Sequence, residues 1–216
     1  GCASSVRYTT PGGPADLRAL GISSDQQQER TTPSIARQLD RKPAANFPAD
    51  LAIVRVQASD YRTRTSRSYG HGNYSVVTTR DVEEDEDFKR IKNLPMVREV
   101  AMLNRLVIPE NLQSDRQLRQ AAASTQADIL LLYTFDTEFD VKTHIKPLGV
   151  ITLGLFPDEE AQVTSTVSAA LMDTRTGYLY GLTEATEKTS QLANAWTSKN
   201  AVDQSRQRAE RRAFEK

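Results

Sequence analysis

A chain of 216 residues is enough for about one to one and a half ordinary domains, so one principal domain is expected. Lys and Arg total 28 and Asp and Glu also total 28, a balance that argues against a whole-surface binder of nucleic acid or another polyanion. The one cysteine, Cys2, excludes an internal disulfide framework and a Cys-rich metal site, and 38% hydrophobic with 6% aromatic residues predicts a core that does not involve the whole length.

Residues 1–46 contain seven large apolar or tyrosine side chains (Val6, Tyr8, Leu17, Leu20, Ile22, Ile35, Leu39), about 15% of that tract and too few to offset ordering entropy. Pro11, Gly12, Gly13, Pro14 and the run Gln26–Gln28 break any helical or strand period. The tract is predicted to be a flexible tether of about 45 residues, with a root-mean-square reach of about 35 to 40 Å. Its start, Cys2-Ala3-Ser4-Ser5, resembles the mature amino terminus of a bacterial lipoprotein. That resemblance implies a diacylated, palmitate-bearing Cys2 exposed by removal of a signal peptide, with Gly1 either the last leader residue or a tag remnant. An ordinary thiol near a terminus is the other reading. In this class an Asp after the cysteine commonly retains the protein at the inner membrane; here Ala3 stands there, which implies outer-membrane sorting. The longest apolar run, Leu148 to Phe156, is nine residues, against the roughly twenty a spanning helix needs.

From Phe47-Pro48 onward a single domain, 47–216, is predicted. Leu51 to Val56 reads as a strand. Tyr61 to Arg67 alternates less cleanly and Tyr74 to Thr79 returns after the turn Tyr69–Asn73, predicting a hairpin. In the helix 81–95 acids lead and bases trail, matching the macrodipole, and Pro95 ends it. A strand starts at Met96. Ser114 with Gln117 three residues on is a capping-box signature, opening a helix of about eleven residues with Leu118, Ala121 and Ala122 on one face. Ile129 to Tyr133 is the strongest strand signal, continuing as alternation to Phe139. Strands 97–108 and 128–139 are expected to be parallel, joined by a right-handed crossover. A connection 140–162 precedes a second hairpin through Val163 to Leu171, the turn Asp173–Gly177 with Gly177 at positive φ, and Tyr178 to Thr183. An amphipathic helix over 190–216 closes the chain, with a basic tip at Arg206, Arg208, Arg211 and Arg212. The fold class is α+β: one mixed sheet with a βαβ crossover, a C-terminal hairpin, and helices mainly on one face.

This order, with Leu51–Val56, Ala127–Leu131 and Leu171–Gly177, resembles a group of envelope lipoproteins. The group includes the curli secretion-channel lipoprotein, the lipoprotein activators of penicillin-binding proteins and the amino-terminal domain of the Tol-system propeller protein. In that group a helix follows the first strand directly, whereas here Ser59–Arg80 intervenes. The resemblance implies a periplasm-facing, outer-membrane-anchored module without a catalytic centre, binding another envelope protein or serving as a subunit of an oligomeric secretion or pore-like assembly. No nucleic-acid partner is expected, and self-association is left open.

The residues offer little for catalysis. His71 and His144 have no partner at ligand spacing, and the acidic run 83–87 lacks the glycine and spaced oxygens of a calcium loop, so it reads as a solvated helix start. No catalytic residue, metal or cofactor is assigned. Arg62, Arg64 and Arg67, placed on one face of an extended segment beside Tyr61 and Tyr69, suit an anionic glycan, a phosphate or an acidic partner; a charged edge strand is the alternative. The leading partner-binding candidate is the connection 140–162 with Leu148, Val150, Ile151, Leu153, Leu155 and Phe156, read as meeting a partner or packing over the core. A pore hairpin would need a second such strand, and Asp140–Lys146 is too polar and short.

Overall fold

The computed structural model describes residues 14–15, 36, 38–63, 65–143, 159–192 and 199–216. In chain order the elements are β1 (Ala49–Gln57), β2 (Ser68–Tyr69), β3 (His71–Gly72), β4 (Ser75–Val77), α1 (Asp85–Lys92), β5 (Val97–Met102), β6 (Asn111–Leu112), α2 (Asp115–Ser124), β7 (Ile129–Thr143), β8 (Glu159–Asp173), β9 (Leu179–Leu192) and α3 (Lys199–Phe214). The fold is α+β with a mixed seven-stranded sheet in the order β2-β4-β1-β7-β8-β9, and β5 added to β1. β3 and β6 form a separate parallel pair.

β1 is the interior strand that organises the sheet. Its near-continuous apolar run is what burial on both faces requires. On one side it pairs in parallel with β7 through Leu51↔Ile129 to Val54↔Leu132. On the other, its first half pairs in parallel with β5 and its second half antiparallel with β4. The strands 97–102 and 129–143 are therefore parallel but not neighbours, because β1, with the more continuous apolar run, takes the place between them.

Side-chain alternation on β1 and β7 produces two cores. Ala52, Val54, Val56, Leu130 and Leu132 face α2, which contributes Leu118, Ala121 and Ala122. Leu51, Ile53, Ile129, Tyr133 and Phe135 face α1 and α3, which contribute Phe88, Ile91, Ala213 and Phe214. Two helices thus cover one face and one the other. Each fully buried Leu or Ile contributes about 1.5–3 kcal/mol of transfer free energy. The capping boxes hold α1 and α2 at their starts: Glu84 N–H donates to Asp87 Oδ2 at 2.8 Å and Ser114 N–H to Gln117 Oε1 at 3.2 Å.

Four sequence expectations change. Tyr61–Arg67 is a tight turn, not a strand: Thr63 N–H donates to Ser66 O at 3.0 Å and the Thr63 hydroxyl accepts from Ser66 N–H at 2.8 Å, side-chain bonding that competes with extended pairing. The return, Ser68–Tyr69 against Val76–Val77, does form a ladder. The connection 140–162 is strand at both ends, since β7 and β8 pair without a break from Ile129↔Asp173 to Thr143↔Glu159, and its middle, 144–158, lies outside the described residues. The helix predicted over 190–216 begins at Lys199, because β9 continues to Leu192. The acidic run 83–87 does open α1, with Glu84, Asp85 and Glu86 exposed, but it is solvated only in part, since Glu83 and Asp87 are buried.

The turn Asp173–Gly177 closes the hairpin β8–β9 as expected, with Gly177 at φ +69°. A Cβ there would meet the Arg119 and Arg41 guanidiniums at 3.2 and 3.3 Å. Of the tract 1–46, residues 14–15 and 38–46 include positions bonded to the domain. Ala15 N–H donates to Thr134 Oγ1 at 2.9 Å, and Ala44 and Ala45 N–H donate to Asp173 Oδ2 at 2.6 and 2.9 Å. Among the described residues no helix is long and apolar enough to cross a membrane, which says nothing about strands.

Candidate functional site

On the α1/α3 face the sheet carries a buried ionic cluster. Arg55 interrupts the apolar run of β1 and is 2% exposed, with its guanidinium beneath α3. It donates to Asp81 Oδ1 at 3.0 Å and to the Tyr61 hydroxyl at 2.8 Å, and lies 3.5 Å from Glu83 and 3.4 Å from Glu210. From α3, Arg206 bonds Glu210 one turn on, Asp203 at 3.0 Å and Asp81 at 2.6 Å. Tyr133 donates to Glu83 at 2.6 Å and Thr137 to Glu210 at 3.0 Å, tying β7 into the same set. The Arg55 guanidinium also stacks 4.7 Å over the Phe135 ring.

Two arginines therefore face Asp81, Glu83 and Glu210, with Asp203 at the margin. Burial pushes the Glu210 carboxyl up, more than Arg55 and Arg206 pull it down. Burial would raise Asp81 too, but Arg206 and Arg55 outweigh it and hold Asp81 below the ordinary aspartate range. Tyr61 is pushed up to about 12, mainly by burial. These charges are spent on one another, and the cluster fastens α3 to the sheet.

Beside the cluster, toward the carboxyl end of α3, α1 and α3 do not close over the sheet. The space between them is a recess of about 480 Å³, within the range of ligand pockets. Its floor is Leu131, Tyr133, Val167 and Ala185, and its walls are Phe88 and Ile91 from α1 and Phe214 from α3. Tyr133 and Phe214 pack at 5.4 Å between ring centroids. The rim is charged, with Arg90 and Asp87 on one side and Glu215 and Lys216 on the other. Asp87 is held below the ordinary range against its own burial by bonds from Arg211, the Glu84 N–H and Arg90. An apolar floor with a charged rim suits an apolar side chain or short apolar segment presented by a partner.

The sequence-derived candidates fall elsewhere. Cys2, Arg64 and the run Leu148, Val150, Ile151, Leu153, Leu155 and Phe156 lie outside the described residues, as does His144. Arg62 and Arg67 are brought together, but by the turn 63–66: they oppose each other in an antiparallel bridge, both exposed. Thr65 at the tip contacts Asp81 at 3.0 Å and Asp203 at 3.1 Å, so this arginine pair is fastened to the end of α3. His71 is exposed in the short pair β3–β6. Two arginines of the basic tip of α3 are taken up, Arg206 in the buried cluster and Arg211 by Asp87, Glu84 and Glu215, while Arg208 and Arg212 are exposed.

Sequence reading missed Arg55 and the recess. The signal for Arg55 was present as one charge inside Leu51–Val56, a run otherwise buried on both faces. Among the described residues no group of three or more His, Cys, Asp or Glu could hold a metal ion. No family model matches this chain. No curated protein matches it either.

Proposed function

We propose that this chain is a non-enzymatic, lipid-anchored cell-envelope protein, held through Cys2 at the outer membrane and facing the periplasm. Its α+β domain binds another envelope protein. The observation that supports this best is the recess over β7–β9, an apolar floor left open between α1 and α3 and rimmed by charges of both signs. Leu148 to Phe156 supply a second apolar contact segment in the proposal, and Arg62 with Arg67 a basic one. Among the described residues Pro14, bridged to Gln57 on β1, is the first position fastened to the domain, so Cys2 lies at most about 40 Å of extended chain from it. That length keeps the domain close to the membrane face.

The second reading is a subunit of an oligomeric secretion or pore-like assembly. It is favoured by β9, a 14-residue strand at the open edge of the sheet.

The test expresses the full encoded chain in a bacterial envelope and combines palmitate labelling with crosslinked capture. Wild type is expected to label and to retain crosslinked partners, Cys2→Ser to lose the label and fractionate as soluble, and Phe88→Asp to keep its fold and label but lose most of its partners. Undiminished capture by folded Phe88→Asp removes the recess from the proposal. An unlabelled wild-type chain removes the anchor.

A further inference from the structure

β9 is long, exposed and paired on one side only. Its ladder with β8 runs from Met172↔Leu179 to Glu160↔Leu192, and among the described residues no strand pairs with its outer side. Over these fourteen residues the described chain offers the outer edge no strand partner, and Lys216 Nζ reaches Thr186 O at 3.3 Å with a flexible side chain that a pairing strand can displace; natural sheets seldom leave so long an edge unprotected. Leu182, on that edge, is 59% exposed.

The charges on β9 restrict what can pair there. Val167↔Ala185 and Ser165↔Glu187 place the odd-numbered residues on the α3 face. Leu182, Glu184, Thr186, Lys188 and Ser190 therefore share the opposite face. Lys188 has no ion-pair partner among the described residues, and Glu184 bonds only the Ser168 hydroxyl, at 3.1 Å. Glu184 also belongs to an acidic surplus on that face, where burial and then Glu138 and Glu184 raise the Asp136 carboxyl. A cation brought opposite Glu184 would relieve this surplus.

We infer that a second copy of this chain docks on the β9 edge, the two β9 strands pairing antiparallel about a two-fold axis through Thr186 so that Glu184 of each copy meets Lys188 of the other. A two-fold axis normal to the sheet keeps like faces together, so only registers centred on a residue are allowed. Centring on Glu184, Glu187 or Lys188 places like charges directly opposite. Centring on Ala185 pairs Lys188 with Leu182 and leaves both charges unmatched. Centring on Thr186 makes two symmetric ion pairs, with Leu182 opposite Ser190 and Thr183 opposite Thr189. On the α3 face the same register sets Glu187 opposite Ala185, and Lys216 of the same chain already neutralises Glu187. The result is one continuous sheet through two domains. It rests on neither the lipid anchor nor the recess.

Sedimentation velocity of the full chain across a micromolar concentration series tests this. Wild type is expected to form a dimer that weakens as salt rises. Lys188→Glu and Glu184→Lys each set like charges opposite at two places and are expected to raise the dimer dissociation constant by about tenfold or more. The exchange Glu184→Lys with Lys188→Glu restores pairing. Circular dichroism confirms that the variants fold. A wild type monomeric at high micromolar concentration overturns the inference and leaves the recess reading standing. A dimer indifferent to Lys188→Glu, or not restored by the exchange, also overturns it.

Discussion

Replacing Arg206 with methionine is expected to destabilise the domain by about 3–5 kcal/mol, because removing one partner of a buried ion cluster leaves the others charged and unpaired. Arg206 is 1% exposed and is bonded to Asp81, Asp203 and Glu210 at once. Asp81 and Glu210 would retain only Arg55 as a cationic partner. For a domain of this size the loss corresponds to a fall in Tm of about 6–20 °C. Arg208, two residues on and exposed on the other side of α3, serves as the control, and Arg208→Ala is expected within about 0.5 kcal/mol of wild type. Equilibrium denaturation measures both. Removing Glu210 as well, in Arg206→Met with Glu210→Leu, should cost less than the sum of the single changes, since each single variant strands a charge that the double variant does not. Additive losses would mean that α3 is held by apolar packing alone.

Asp173→Ala should act on a different fastening. This buried carboxylate accepts from Arg175 and Thr176 N–H within its own turn, each at 2.9 Å, and from Ala44 and Ala45 N–H and the Tyr180 hydroxyl across it. Losing five bonds to one charged acceptor is expected to destabilise by about 3 kcal/mol, since the donors become partly unpaired. A purely local effect on the turn would stop there. The account adds that residues 41–46 come away from the domain, so trypsin should cut after Arg41 much faster in Asp173→Ala than in wild type under native conditions. Arg41 is now held in part by its own bond to Gly177 O at 3.3 Å.

The same carboxylate gives a pH signature. Burial would raise Asp173, but the N–H donors of Thr176, Ala44 and Ala45 and the Tyr180 hydroxyl hold it below its ordinary 3.8. A depressed folded value means that the unfolded chain binds the proton more readily, so stability rises with pH. The contribution is complete above 3.8 and is lost as pH falls through the folded value. Asp173→Asn is expected to flatten that acid limb, and an unchanged limb would place the loss in other carboxylates.

The sequence made some of this structure legible for identifiable reasons. β1 and β7 carry runs of apolar residues because both of their faces are covered. Ser114 with Gln117, and Asp173 with Gly177, are local bonding patterns that need nothing distant. The β7–β8 pairing was legible only in part: alternation marks Ile129 to Phe139 and Val163 to Leu171, whereas the ends of the ladder, Asp140 to Thr143 against Glu159 to Gln162, are mostly polar and read as a connection. Arg206 and Glu210 looked like a surface turn of α3. Their partners Arg55 and Asp81 lie more than a hundred positions away, and only the sheet brings them together. The recess was hidden for a related reason: each residue that lines it is an ordinary core residue of its own element. The opening exists only because α1 and α3 stop short of each other over β7–β9.

Site-specific photocrosslinking tests the central claim most directly. A photoreactive residue in place of Arg90, on the exposed rim of the recess, is compared with one in place of Lys42, which is exposed but lies away from the recess. In living cells the position-90 probe is expected to yield a discrete crosslinked band with an envelope protein, and that band should vanish when Phe88→Asp is added. The position-42 probe should give none of it. A position-90 probe that crosslinks nothing, or that gives the same band with Phe88→Asp present, would contradict the account.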